Sequence, residues 1–375
     1  MDSKAFDYKI ADSQATRVEP VKYDAFDYDA WHKYEEALVK HCESFRQSDS
    51  GVLVYRRMRC ADVFSYGCSN MKLSLELQLG ALQKSMDYKA DVPNFLEPWY
   101  GIGTIASAYG AEYIWNPGQA PAVHPRYDNI DDISDNVVSV HETPIGRHTL
   151  EMIDYFLEKT KRNLPMSFCD IQSPLNIAMN VVNISNFLMS LYIDPERVMQ
   201  FLDNLSILLI GFTEKQKEII GENIVCPGHG FASCRIFKGF GMSDDNIVML
   251  PEELYKTIAA PSFEKTGNVF DGPAFHSCGN WSDKLEIVKN LRNLTMVDAA
   301  FSPQTDPDPN PAELFREKLS NTGIVLNARI VGESDVIEEQ VKKLWSPGMK
   351  LIVVTYCKTP EEQEKAYNIV HEICS

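Results

Sequence analysis

Long apolar runs are missing from this sequence: NLSILLIGF (204–212) and MKLIVVTYC (349–357) fall well short of the roughly 20 residues a bilayer-spanning helix needs. Positive charge is scarce, with 36 Lys and Arg against 53 Asp and Glu, a formal net charge of −17. Such a balance repels phosphate backbones and anionic membrane surfaces, which disfavours nucleic-acid and lipid partners and leaves a small substrate or another protein. The N-terminal MDSKAFDYKIADSQ has no basic stretch followed by an apolar core, so no secretory signal is expected and the protein is expected to be cytoplasmic. Nine cysteines, an odd number without such a signal, argue against a disulfide framework. Cys42, Cys60, Cys68, Cys169, Cys226, Cys234 and Cys374 are expected as free thiols. Internal repeats, low-complexity segments and a Pro/Gly/Ser-rich linker are absent as well.

What is present suits a large α/β enzyme. The 375 residues, 44% of them hydrophobic, can bury either one large barrel core or two ordinary ones. Residues 28–48 and 69–87 read as amphipathic helices, the second with Ser69 as N-cap, and GVLVYRRM (51–58) as a short strand or extended piece. Residues 1–90 are therefore expected to be an N-terminal helical extension packed on a main body, residues 91–375.

From about residue 91, short apolar runs alternate with helical patterns. The runs are VPNFLEPW (92–99), LPMSFCDIQSP (164–174), GPAFHSCGN (272–280), LTMVDAAF (294–301), GIVLNARI (323–330) and MKLIVVTYC (349–357), with a weaker one in NIVCPGHGFASC (223–234). Helices are expected over 148–162, 175–191, 195–219, 251–266, 282–292, 311–319 and 334–345. Strand–helix alternation implies parallel pairing with right-handed crossovers. Neither GxGxxG nor GxxxxGK(S/T) follows the first strand, so the phosphate signature of open doubly wound sheets is lacking. The expected fold is a (β/α)8 barrel, with an eighth strand sought near AEYIWN (111–116).

Catalytic groups in such a barrel stand where its strands end and in the loops that follow. His276 and Cys278 sit two residues apart at one strand end, where alternate residues share a side. The last strand ends on Cys357. A His, Cys, Cys set leaves one tetrahedral position of Zn2+ open, which is what activation of a thiol at neutral pH requires. The plainer alternative is a buried histidine beside an inert cysteine, with Cys357 packing in its strand.

The segments FHSCGNW, VTYC, DIQSPLNIAMNVV (170–182) and GMSDDNIVMLPEELYK (241–256) resemble the uroporphyrinogen decarboxylase superfamily, as do EPWYGIGTIASAYGAEY (97–113) and IDPERVMQFLD (193–203). Within it the chain looks like the branch of methylcobamide:coenzyme M and related corrinoid-dependent methyltransferases. That branch holds zinc through a His-x-Cys pair and a distant Cys, and the matching positions are His276, Cys278 and Cys357. The resemblance implies methyl transfer from a methylcobamide, carried by a corrinoid protein or free, to a small thiol. YRRMRCADVF (55–64) does not reproduce the arginine-rich loop of true decarboxylases, and no corrinoid-binding DxHxxG occurs.

Other polar groups at strand ends have two readings each. Glu97 is a fourth zinc ligand or proton acceptor, or else a loop cap. His229 is a substrate contact or proton relay, or else a histidine bonded to backbone. Asp244 and Asp245 order an active-site lid or bind the cofactor's polar edge, or else form a turn and start a helix. Asp170 and Gln172 hydrogen-bond substrate or cofactor, or else cap a helix. DPDPNP (306–311) reads as a rigid turn. Two other functions stay open: a decarboxylase acting on an acidic tetrapyrrole, and a corrinoid-binding barrel without turnover. The acceptor (coenzyme M, homocysteine or tetrahydrofolate) is not fixed by the sequence.

Overall fold

The structure, a computed structural model, describes residues 13–134 and 137–375; most of the N-terminal segment read above for a secretory signal lies outside them. The strands in chain order are β1 (Gly51–Arg56), β2 (Glu112–Ile114), β3 (Ala122–His124), β4 (Phe240–Ser243), β5 (Pro273–His276), β6 (Met296–Ala300), β7 (Val325–Ile330) and β8 (Lys350–Thr355). Six of them form one sheet in the order β1-β8-β7-β6-β5-β4, all parallel. The remaining arc consists of extended segments joined by single bridges. Asp91 N–H donates to Val54 O at 2.8 Å, Leu96 pairs with Met166, Met166 with Ile224, and Gln172 with Ser243 of β4. Backbone pairing thus runs from β1 round to β4 on both sides, the arrangement expected of a (β/α)8-type barrel.

Side chains alternate across this wall because successive residues of a strand face opposite ways. Leu53, Tyr55, Ala274, Met296, Ile352, Val354 and Tyr356 pack together on the inside. Val54, Phe275, Val297, Ala299, Leu326, Ala328, Leu351 and Val353 pack outward against the helices. Both sets are buried, which is why these strands read as continuous apolar runs. Burial of each large apolar side chain stabilises the fold by about 1.5–3 kcal/mol.

Several expectations change. GVLVYR is a barrel strand paired along its whole length with β8, so the expected boundary at residue 91 falls after the first barrel strand. AEYIWN supplies β2, which pairs antiparallel with β3 in a separate hairpin and adds nothing to the barrel. The second early helix spans Met71–Ser85, capped by Asn70, whose side chain accepts from Leu73 N–H, and not by Ser69. The helix expected over 175–191 is two, Pro174–Val181 and Ile184–Ile193; extended Val182 ends the first, and Asn183 caps the second by accepting from Ser185 and Asn186 N–H. Residues 251–266 contain a π-helical turn at Tyr255–Ala259. Among the described residues no helix is long and apolar enough to cross a membrane.

Candidate metal centre and the polar mouth of the barrel

His276 ends β5 with the inward parity of Ala274, and Cys278 follows two residues on. His276 Nε2 lies 3.7 Å from Cys278 Sγ and 3.7 Å from Asp245 Oδ1, and one ligand atom from each of the three residues falls within 4.8 Å of the others. Asp245 is fixed from two sides. Its Oδ1 accepts from Cys278 N–H at 2.7 Å, and Asn176 Nδ2 donates to its Oδ2 at 3.3 Å.

Beneath the imidazole lies a polar network inside the barrel. His276 Nδ1 stands 2.5 Å from Asp298 Oδ2, Arg329 Nε donates to the same oxygen at 2.8 Å, and Asn327 Nδ2 donates to Asp298 Oδ1. Burial alone would raise the Asp298 carboxyl pKa; the charges of Arg329 and His276 reverse that and lower it. Burial would likewise lower His276, but the Asp298 carboxylate holds it well above the ordinary imidazole range. Because Nδ1 faces Asp298, Nε2 is left pointing at Cys278 and Asp245. A carboxylate behind a histidine that presents its other nitrogen is the usual support of a metal ligand.

Cys357 is not brought to this group. It has the outward parity of Leu351 and Val353, packs in the outer core, and is buried next to Arg56, whose Nε donates to its carbonyl at 2.9 Å. At this end of the barrel the residue with the inward parity of Ile352 and Val354 is Tyr356, which directly follows β8. The physical reason is the two-residue period: a ligand on this strand end has to sit at an even position. Asp245 stands where the third ligand was expected.

A second cluster lies across the mouth. His229 Nδ1 is 2.5 Å from Glu97 Oε2 and its Nε2 is 3.6 Å from Asp170 Oδ2. Arg57 Nη2 is 3.5 Å from Glu97 Oε1, and Trp99 Nε1 donates to Asp170 Oδ2 at 3.0 Å. Burial pushes the Glu97 pKa up, but His229 and Arg57 outweigh it and hold it below the usual value. Gln172 Nε2 donates to Asp170 Oδ1 at 2.8 Å, and Asn176 Nδ2 donates to Gln172 Oε1 at 2.9 Å as well as to Asp245. The two clusters are therefore joined by the chain Asp170–Gln172–Asn176–Asp245. Gly230 also adjoins the His276 ring, for a Cβ added there would lie 4.0 Å from Nδ1.

Asp244 has a different place from Asp245. It is buried, accepts from Ser173 Oγ at 2.5 Å and from Tyr255 OH at 2.8 Å, and burial raises its pKa to about 6. The DPDPNP loop does more than turn: Asp306 accepts from Gly279 N–H at 2.8 Å, and Asn310 accepts from Trp281 N–H at 3.1 Å, which together tether the Cys278 loop.

With this geometry stands a family match. The profile described as Uroporphyrinogen decarboxylase (URO-D) covers residues 41–361. The chain belongs to the uroporphyrinogen decarboxylase family. Among solved structures it resembles a methyltransferase from Methanosarcina mazei at 14% identity, with 90% of this chain and 98% of that one covered and a TM-score of 0.62. That likeness establishes the shared fold. A protein from Listeria monocytogenes, provisionally described as a vitamin-B12 independent methionine synthase, aligns at 14% identity over 60% of this chain and 66% of its own, with a TM-score of 0.33. No curated protein matches the chain. The URO-D match starts ahead of β1, in keeping with the structural place of that strand inside the barrel.

Several residues of this URO-D site were not singled out from the sequence: Asp298, Asn327, Arg329, Asn176 and Arg57. A signal existed for the first three. Asp298 interrupts LTMVDAAF, and Asn327 and Arg329 interrupt GIVLNARI at a spacing of two, so polar groups stood at inward positions of buried strands. Arg57 and Asn176 carried no comparable signal: Arg57 stands in the polar run RRMR, and Asn176 is a single polar residue within the helical stretch PLNIAMNV.

Proposed function

We propose that the chain is a zinc-dependent methyltransferase that moves a methyl group from a methylcorrinoid to a small thiol of the coenzyme M type. The observation that carries this reading is the convergence of His276, Cys278 and Asp245 above the buried Asp298–Arg329 pair. One nitrogen, one sulfur and one oxygen donor fit zinc, and three protein ligands leave a coordination position for substrate. Bound there, zinc would lower the pKa of an entering thiol so that the thiolate is the species present at neutral pH.

The chain's own residues supply the rest. Asp298 holds the His276 ring with Nε2 forward, and Arg329 with Asn327 fixes Asp298. Asp245, locked by the Cys278 amide and Asn176, is aligned beside them. His229, oriented at Nδ1 by Glu97, receives the thiol proton at Nε2, and the Asp170 carboxylate 3.6 Å away stabilises the imidazolium. The sulfur forms the new bond to the methyl carbon, and the donor's cobalt–carbon bond breaks heterolytically, its electron pair staying with the departing corrinoid. Alignment of donor and acceptor over the mouth is the protein's contribution to the barrier. The donor is brought by a partner corrinoid protein or as the free cobamide.

The test is metal analysis together with turnover of methylcobalamin and a panel of thiols, followed by absorbance, in the wild type and in Cys278→Ala and His276→Ala. Full zinc occupancy in both variants sinks the assignment. A second reading, decarboxylation of an acidic tetrapyrrole, is favoured by one feature: the guanidinium groups of Arg57 and Arg59 both lie over the Phe64 ring, 5.7 and 5.0 Å from its centroid, beside His229. It requires turnover of uroporphyrinogen by zinc-free protein. A barrel without turnover predicts neither reaction.

A further inference from the structure

The opposite end of the barrel holds a second site. Strands β6, β7 and β8 begin there with Met296, Val325 and Lys350, and these residues line a cavity of about 320 Å³. That volume is at the lower end of the range of about 300–1,000 Å³ typical of small-molecule sites. Its charged lining is Arg46, Lys238 and Lys350, with no acidic residue among the lining side chains. In a chain of net charge −17 such a grouping runs against the average surface.

No carboxylate among the lining side chains pairs with these cations. Among the described residues, neither Arg46 nor Lys238 has an ion pair or a side-chain hydrogen bond. Lys350 is 8% exposed and donates to the carbonyls of Arg46 and Ser48 at 3.3 and 2.9 Å, contacts that hold its ammonium at the cavity without removing its charge. Asp49, the acid that acts on Lys350, lies outside the lining. Burial and the like charge of Arg46 both work against protonation of Lys350, which an anion placed between them would relieve. The rest of the lining is chiefly apolar; Phe45, under the Lys350 ammonium at 4.9 Å from its ring centroid, and Phe237 supply aromatic surface.

We propose that this cavity binds a small amphipathic carboxylate, its apolar body against Phe45, Phe237 and Val325 and its head group between Arg46, Lys238 and Lys350. Guanidinium suits a carboxylate because two parallel N–H donors match its two oxygens. The apolar floor excludes strongly hydrated inorganic anions as the preferred occupants. The site is independent of the metal centre, which stands at the opposite end of the barrel, at and after the C-terminal ends of β4 and β5.

Octanoate is the probe, titrated calorimetrically into the whole protein, with octanol and inorganic phosphate as controls. Arg46→Gln and Lys238→Gln change exposed side chains, so the unfolding midpoint without ligand should stay at the wild-type value. Saturable single-site binding of octanoate is expected, weakened about tenfold or more in the double variant. Octanol and phosphate should each bind at least about tenfold more weakly than octanoate. Absence of saturable octanoate binding, equal affinity in wild type and double variant, or equal affinity for octanol overturns the proposal.

Discussion

His276 Nδ1 and Asp298 Oδ2 stand 2.5 Å apart, with Asp298 wholly enclosed by the barrel and tied to Arg329 as well. That contact decides which imidazole nitrogen is offered to the mouth. Replacement of Asp298 by Asn keeps the shape but removes the charge that orients His276 and balances Arg329. Zinc affinity, measured by competition with a chromogenic chelator, should fall about 10–100-fold. Unchanged affinity would mean that His276 does not depend on this support.

Cys278 and Cys357, alike in sequence as candidate ligands, should separate on substitution. Cys278→Ala removes a donor of the cluster and should abolish stoichiometric zinc binding. Cys357→Ala removes a buried outward-packed thiol, so zinc should remain while stability drops by about 1 kcal/mol. Metal content by mass spectrometry and urea unfolding distinguish the outcomes. Zinc loss in Cys357→Ala would show that β8 rearranges around the metal.

The difference between those cysteines also marks how far sequence reading reaches. Runs such as MKLIVVTYC announce a buried strand through composition alone, and β5 to β8 were legible in that way. In a strand buried on both faces, apolar residues fill inward and outward positions alike, so composition does not reveal parity. For that reason Cys357, expected at the metal, stands one residue off the inward face, whereas in FHSC the His-x-Cys spacing itself implied a shared side. The place of β1 in the barrel, though not its extended form, was hidden in a different way. Its partner is β8, some 300 residues away, and its flanking helices gave residues 1–90 a helical look. Asp245 lay in a pair of adjacent acids, and only the fold turns one to Cys278 and the other to Ser173 and Tyr255.

A buried carboxylate remote from the mouth should govern acid stability. Asp91 accepts from Val54 N–H at 2.8 Å and Tyr367 OH at 2.7 Å, and meets His371 Nε2 at 2.8 Å and His41 Nδ1 at 2.9 Å. Burial raises its pKa, but the bonds from His371 and Tyr367 prevail and place it below the usual carboxylate value. A carboxyl lowered on folding stabilises the protein fully above its unfolded pKa of about 4, and that contribution is lost as pH falls through the lower folded value. Asp91→Asn should therefore destabilise by about 1–3 kcal/mol at pH 7, and by less as the pH drops below about 4. Urea midpoints across pH measure this. A stability difference that stays constant down to the lowest pH contradicts it.

Glu97 joins stability to chemistry, since it contacts both His229 and the buried Arg57. Glu97→Gln leaves the guanidinium without its counter-charge, and loss of one partner from a buried pair costs about 3 kcal/mol. The same change weakens the hold on His229 Nδ1, so the assigned proton acceptor loses its orientation. Removal of general-base assistance of this kind lowers turnover by about 10²–10⁴-fold. Since Glu97 is not one of the three clustered donors, zinc content should stay at the wild-type level. The discriminating measurement is turnover of methylcobalamin with a thiol as pH rises toward the thiol's own pKa. With thiolate supplied by solvent, the variant should regain activity relative to wild type; a deficit that persists unchanged at high pH would remove His229 and Glu97 from proton transfer and leave them a structural role.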